Sequence, residues 1–225
     1  MKKILEMKIE ILKDDVSKVF ITSDTHYMHK NICRGVSEWK TGDGQRPDSS
    51  TRDYQTLEEM NDLIVNNIND VVRQDDILIH GGDWSFGGFE NIAKFWNRIN
   101  CKTIHLCLGN HDDHIRKNKN GYKDLFTSVS DMIMLDFNYH GDKSRIHIQH
   151  YPIQSWRDLN QGTIHLHGHT HLSKERKFGR GRKQDVGLDG NNMKPYDLYN
   201  DIVVPMKLRE IKSDMLFDHH TEEFK

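Results

Sequence analysis

Eight residues of the types that bind divalent cations or move protons follow short apolar stretches of this chain: Asp24, His26, Asp83, Asn110, His111, His150, His169 and His171. Carboxylate, imidazole and amide donors gathered in one place hold a pair of divalent metals beside a phosphate. The stretches before them cover 19–22, 77–80, 103–108, 145–149 and 163–167, and each carries Ile, Leu or Val. Runs of that length and composition read as buried strands. Open α/β sheets place their sites just past the carboxyl ends of such strands. The chemistry here is assembled from five separate strand ends.

Other elements must bring those ends together. Residues 27–54 are rich in Gly, Asp and Ser, with turn signals at Thr41-Gly42-Asp43-Gly44 and Pro47-Asp48-Ser49-Ser50. A loop of this length in a compact domain serves function, so it is expected to be a lid, carrying Arg34, Arg46 and Arg52. Thr56-x-x-Glu59 is a capping box, and Leu57, Met60, Leu63, Ile64, Ile68, Val71 and Val72 then share one helical face. The spacing predicts a helix over 56–73, and Ile92, Phe95, Trp96 and Ile99 predict another over 88–99. From 129 onward strands dominate, with Asn138-Tyr139-His140-Gly141-Asp142 as a hairpin turn. A further strand is predicted at 185–189, and the acidic, His-rich last dozen residues are expected to fray.

Because the chemical residues run from 24 to 171, the chain 1–225 is expected to form one domain. A formal net charge of −2 excludes a global basic field for nucleic acid. Glu6, Lys8 and Glu10 break up the start of the chain, so it reads as a strand rather than a signal peptide. No stretch approaches a membrane span, so no membrane partner is expected. Cys33, Cys101 and Cys107 are odd in number and lack a Cys-x-x-Cys pair, which argues against a disulfide framework. A cytoplasmic location follows as the default.

Five motifs stand in a fixed order: Asp24-Thr25-His26, Gly82-Asp83, Gly109-Asn110-His111-Asp112, His150-Tyr151-Pro152 and Gly168-His169-Thr170-His171. In them the chain resembles a calcineurin-like metallophosphoesterase. His29-Lys30-Asn31-Ile32 after the first motif, and Gly187-Leu188-Asp189 before Lys194-Pro195, resemble a small bacterial and phage branch of that superfamily. The resemblance implies an α/β fold of two packed mixed β-sheets flanked by helices (an α/β/β/α sandwich), with a dimetal site at one end. It implies Asp24, His26 and His171 on one metal, Asn110, His150 and His169 on the other, and Asp83 bridging both. Ions roughly 3.5–4 Å apart repel, and a shared carboxylate and hydroxide offset this. Oxygen and imidazole donors without thiolate suit two divalent ions such as Mn, with Fe, Zn or Ni as alternatives. The resemblance further implies attack by metal-bound hydroxide without a covalent enzyme intermediate. His111 would protonate the leaving oxygen or stabilise the transition state, with Asp112 orienting its ring.

The remaining histidines have plainer readings. His80, His105, His147 and His165 alternate within strands and read as core or ligand-supporting residues, while His114, His140, His219 and His220 read as surface. His167 is open between core and ligand support. His29 and Asn31 follow the first motif closely enough to face substrate, against a loop-stabilising role. Trp84 packs or walls the pocket. The segment 173–184 carries Lys174, Arg176, Lys177, Arg180, Arg182 and Lys183 against one Glu175. It leaves directly from His171, so Arg176 and Arg180 are expected to hold non-scissile phosphates, against a solvated surface loop.

Protein Ser/Thr phosphatases of the superfamily carry Gly-Asp-x-x-Asp-Arg-Gly, whereas this chain reads Gly82-Asp83-Trp84-Ser85-Phe86-Gly87. A metallo-β-lactamase site would want His-x-His-x-Asp-His, which 165–170 lacks. The expected function is a phosphodiesterase acting on a phosphorylated small molecule or nucleotide. The rivals are a nuclease or RNA-end phosphatase taking short nucleic acid, and a metal-free binding module of the same fold. The last would show replaced ligands, and none is replaced. The oligomeric state is not legible.

Overall fold

The computed structural model describes residues 2–39, 51–118, 122 and 124–209. The strands are β1 (Lys2–Ile11), β2 (Val19–Thr22), β3 (Ile77–His80), β4 (Thr103–Cys107), β5 (Ser128–Tyr139), β6 (Asp142–Gln149), β7 (Ile164–His167), β8 (Lys183–Asp185) and β9 (Tyr196–Asp197). The α-helices are α1 (Leu57–Val71), α2 (Phe89–Arg98), α3 (Asp113–Lys117) and α4 (Val204–Leu208). Hydrogen bonds join the strands in the order β8-β7-β6-β5-β4-β3-β2-β9, with β1 added on β5. β2 to β5 are parallel, β5 and β6 form an antiparallel hairpin, and β6 to β8 are parallel again.

β5 is where the sheet changes course. Its residues 128–130 pair with β4, whereas 130–139 pair with β1 and 132–139 with β6. Strand alternation then sorts the side chains into two cores. Phe20, Leu78, Ile104 and Leu106 meet Met60, Ile64 and Ile68 of α1 and Ile92 and Phe95 of α2. Their neighbours Val19, Ile21, Ile79 and Cys107 meet Ile133, Leu135, Phe137, Ile146, Ile148, Ile164 and Leu166. One ladder therefore runs through a large curled mixed sheet, and its second core brings residues of both arms together.

The local signals act much as expected. Thr56 accepts the Glu59 N–H at 3.1 Å and caps α1, while the Glu59 carboxylate takes the N–H of Gln55 rather than that of Thr56. Both central residues of the β5–β6 turn are left-handed, His140 at φ 52° and Gly141 at φ 95°, as a two-residue hairpin requires. The strand expected at 185–189 breaks early. Asp185 accepts the Gly187 N–H at 2.7 Å, and the chain turns into a 3-10 helix at Leu188–Asn191.

Residues 40–50 of the expected lid, Arg46 among them, lie outside the described residues, as does the acidic tail. The ends of the 27–54 segment are tied together: Arg34 N–H donates to Arg52 O at 2.9 Å and Gly35 N–H to Tyr54 O at 2.8 Å. All three cysteines are buried and free. No helix among the described residues is long and apolar enough to cross a membrane.

Candidate metal centre

Beyond their last ladder pairs, β2 and β3 continue to exchange backbone bonds. Asp24 N–H donates to Gly82 O at 2.9 Å, and His26 N–H to Asp83 O at 3.0 Å. The chain is held there in left-handed conformations, with φ of 57° at Asp24, 49° at His26 and 58° at Asp83. His169 and His171, past β7, have φ of 70° and 46°. Five of the seven expected metal ligands thus occupy a region that costs a non-glycine residue about 1–2 kcal/mol each. Such strain persists where the surroundings over-determine it, characteristically at functional sites. Close approach adds to it. A Cβ on Gly109 would lie 2.1 Å from Asp83 Oδ1, and one on Gly168 2.2 Å from Asp24 Oδ2. Only glycine lets these two loops close on the carboxylates.

The donor atoms fall into two groups that share one oxygen. In the first, His26 Nε2 lies 3.1 Å from His171 Nε2, 3.8 Å from Asp24 Oδ1 and 3.5 Å from Asp83 Oδ2. In the second, Asn110 Oδ1 lies 2.9 Å from both His150 Nε2 and His169 Nδ1, and His150 Nε2 is 3.4 Å from the same Asp83 Oδ2. Atoms sharing one ion at about 2.1 Å stand about 3.0 Å apart in an octahedron and about 3.4 Å in a tetrahedron. The observed spacings bracket those values.

Hydrogen bonding sets which ring nitrogens face inward. His150 Nδ1 donates to Gly81 O at 3.0 Å, and His171 Nδ1 to Asp189 Oδ2 at 2.8 Å. Each of these partners only accepts, so in the neutral form that metal binding requires, each ring turns an Nε2 lone pair toward the other donors. Lone pairs converging on carboxylate and amide oxygens repel unless a cation lies among them. The electrostatics agree. Burial pulls His150 down, but Asp83 and then Asp24 outweigh it and raise the ring to about 9. Burial lifts Asp24 to about 6 against the opposing pull of His171 and His150. Both shifts mark a pocket short of positive charge, which a divalent ion supplies. Three groups of carboxylate and imidazole donors close enough to share an ion occur among the described residues: Asp24, His26 and His171; His26, Asp83 and His111; and Asp24, Asp83 and His150.

His111 donates its backbone N–H to Asp83 Oδ1 at 2.8 Å, and its ring centroid is 5.2 Å from that of His26. These groups floor a cleft of about 320 Å³, walled by His29, Ile32, Trp39, Thr51, Arg52, Thr170 and Asp189.

The sequence profile of the calcineurin-like phosphoesterase family matches residues 17–223. The chain belongs to this family. Its members use dinuclear divalent metal centres, and the Asp and His groups here fit that requirement. The calcineurin-like chain is 28% identical over 145 residues to an uncharacterised protein of Methanocaldococcus jannaschii, covering 60% of this chain and 74% of that one. A solved structure of a protein of unknown function from Aquifex aeolicus has a similar fold. It superposes with a TM-score of 0.55 at 21% identity, over 80% of this chain and 94% of that one.

The phosphoesterase fold brings Asp24, His26, Asp83, Asn110, His111, His150, His169 and His171 together, with Asp24 and His150 buried beside the six that line the cleft, but it treats the other expected site residues differently. Asp112 uses its carboxylate on backbone groups and not on the His111 ring. Its carboxylate accepts the backbone N–H groups of Asp83, Gly109 and Trp84 at 2.8, 2.8 and 3.0 Å, so it braces the loops that carry the ligands. His29 is buried, has its Nδ1 3.2 Å from that of His26, and lines the cleft. Asn31 caps the N–H of Glu38 at 3.0 Å and is absent from the cleft wall. Arg176 and Arg180 are exposed and also absent from it. In the same segment Arg182 is bonded to Gly162 O at 3.1 Å, Lys183 to Ile153 O at 3.2 Å, and Lys177 lies 4.7 Å over the Tyr196 ring. Those three cations brace the fold. Trp84 is buried and packs on Phe95.

Two residues of the centre carry no expectation from sequence in the roles they have. Asp189 joins His171 to Arg52, whose Nε and Nη2 donate to its two oxygens at 2.9 and 2.8 Å. Arg52 also donates to the backbone oxygens of Asp24 at 2.6 Å and Thr25 at 3.1 Å. Gly187-Leu188-Asp189 was a visible signal, but its task depends on a residue 137 positions away.

Proposed function

We propose that this chain is a dinuclear metal-dependent phosphodiesterase. The observation that carries the reading is the convergence of two donor groups on the shared Asp83 Oδ2, with inward lone pairs fixed by Gly81 O and Asp189. In this reading Asp24, His26 and His171 hold one divalent ion, Asn110, His150 and His169 the other, and Asp83 both. Two bound ions would supply Lewis-acid polarisation of the phosphoryl group and a water acidic enough to attack near neutral pH. Manganese suits the donor set, with Fe, Zn or Ni as alternatives.

The chain's own groups have distinct tasks. Asp112 clamps the loops bearing Asp83 and Gly109 through three backbone N–H groups, so that Asn110 and His111 keep their positions. His111, on the cleft wall, is placed to give a proton to the leaving oxygen. Ile32 and Trp39 limit the water around the reacting phosphate. Among the described residues, Arg52 is the only Lys or Arg that lines the cleft, and its guanidinium is bonded to Asp189. Among the described residues, a wall so poor in free cations favours a singly charged diester over a doubly charged monoester. The curled sheet supports the two-layer sandwich expected of the family, and its span from Lys2 to Asp197 supports one domain.

The test is turnover of bis-p-nitrophenyl phosphate by purified protein with Mn²⁺, before and after chelation, beside p-nitrophenyl phosphate. Diester turnover should exceed monoester turnover and disappear with the chelator. Undiminished turnover after verified metal depletion would sink the reading.

A further inference from the structure

Two large aromatic side chains that the fold leaves in solvent meet at one histidine beside the metal donors. Phe86 is 41% exposed and Trp39 36%. Phe86 lies flat on His29, with centroids 4.2 Å apart and planes 6° from parallel. Trp39 meets the same ring edge-on at 5.7 Å. His29 is 5% exposed and has its Nδ1 3.2 Å from that of His26. It therefore acts as a rigid backing that ties both aromatics to a metal ligand. Phe86 also lies 5.5 Å from the His111 ring.

Leaving such rings in water forgoes the free energy their burial would contribute. Scattered single exposures would need no account, but these two come from different loops and converge on His29, which with Trp39 lines the cleft beside the donor cluster. The geometry points to a subsite for the planar base of a nucleotide: phosphate on the donor floor, ribose past His111, base against Phe86 and Trp39. This deepens the phosphoesterase reading by naming its substrate class, and it rests on that reading for the phosphate position. Ring faces grip every nucleobase because each has a π-face, whereas a sugar phosphate or alkyl ester has no plane to offer them. Tyr151, also exposed, lies 4.7 Å from His169 of the second donor group, so the second nucleoside of a diester has a ring to meet as well.

The experiment is equilibrium binding, by calorimetry on Mn²⁺-loaded protein, of the non-hydrolysable phosphonates of adenosine and of ribose, with inorganic phosphate as a third probe. Adenosine phosphonate should bind roughly 5- to 100-fold more tightly than ribose phosphonate. Phe86→Ala should remove most of that advantage and leave phosphate affinity unchanged, and Phe86→Tyr should retain it. Equal affinities for the two phosphonates, or an advantage that survives Phe86→Ala combined with Trp39→Ala, would overturn the subsite. Discrimination without hydrolysis of any phosphoester would keep the subsite and refute the catalytic reading. Diester hydrolysis without discrimination would refute the subsite alone.

Discussion

Replacing Asp189 with asparagine separates the support of a metal ligand from the ligand itself. The Asp189 carboxylate accepts from Arg52 Nε at 2.9 Å, Arg52 Nη2 at 2.8 Å and His171 Nδ1 at 2.8 Å. An amide has one accepting oxygen, so at least one of these donors would face an NH₂ group. Breaking a buried charged pair costs roughly 3–5 kcal/mol. Arg52 keeps Asp24 O and Thr25 O, so the lower end, about 3 kcal/mol of stability, is expected. Burial opposes ionisation of Asp189, but Arg52 and His171 hold it well below the usual carboxylate range. Its contribution is therefore present above the unfolded carboxylate value and lost only as pH falls, so the measurement belongs near pH 7.5. With the Nδ1 partner gone, His171 is free to turn its proton inward, and affinity for one ion should fall about 10- to 100-fold. Two-site calorimetric titration with Mn²⁺ reads that loss, and urea unfolding of the metal-free protein reads the stability term. Native affinity at both sites, alongside the stability loss, would show that Asp189 braces the fold without positioning His171.

Other perturbations address the rest of the centre. Asp83→Asn removes the one charge common to both donor groups, so elemental analysis should find at most one ion per chain and almost no turnover; two retained ions would exclude a bridging role. His111→Ala should lower turnover by on the order of 10²–10⁴-fold with metal content intact, and less for esters with good leaving groups. Equal losses across leaving groups would favour positioning over proton transfer. Burial, then His167 and His147, hold His165 down to about 3, so its stabilising contribution is complete above the unfolded value and lost as pH falls toward 3. At pH 5 that loss is about 2 kcal/mol, and urea unfolding should show it relieved in His165→Gln. Neutralising Arg176 and Arg180 should leave substrate affinity and its salt dependence unchanged, because both side chains lie off the cleft wall; a shallower salt slope would restore the basic segment as a substrate contact.

The elements that carry the centre were legible because their causes are local. Short apolar runs made β2, β3, β4 and β7, and the Thr56–Glu59 spacing capped α1. The hairpin at His140 and Gly141 was likewise written in its turn residues. Asp112 was misread because adjacency to His111 suggests a side-chain pair, whereas strand packing brings the N–H groups of Asp83 and Trp84 to its oxygens instead. The structural roles of two cations in 173–184 were hidden for a related reason. Charge counts do not reveal that Arg182 and Lys183 end on the carbonyls of Gly162 and Ile153.

Sequence alone determined which donors are available and that they follow strand ends, since residue type sets ligand chemistry and short-range periodicity sets strand formation. It also carries glycine at 109 and 168, although the requirement for it, carboxylates 2.1 and 2.2 Å from where a Cβ would lie, is visible only after folding. Tertiary structure alone decided two matters: the bonding of Asp189 to both His171 and Arg52, and the meeting of Phe86 and Trp39 at His29. Each depends on parts of the chain far apart in sequence. Such contacts follow from how a curled sheet closes on itself, and no local pattern of residues encodes that closure.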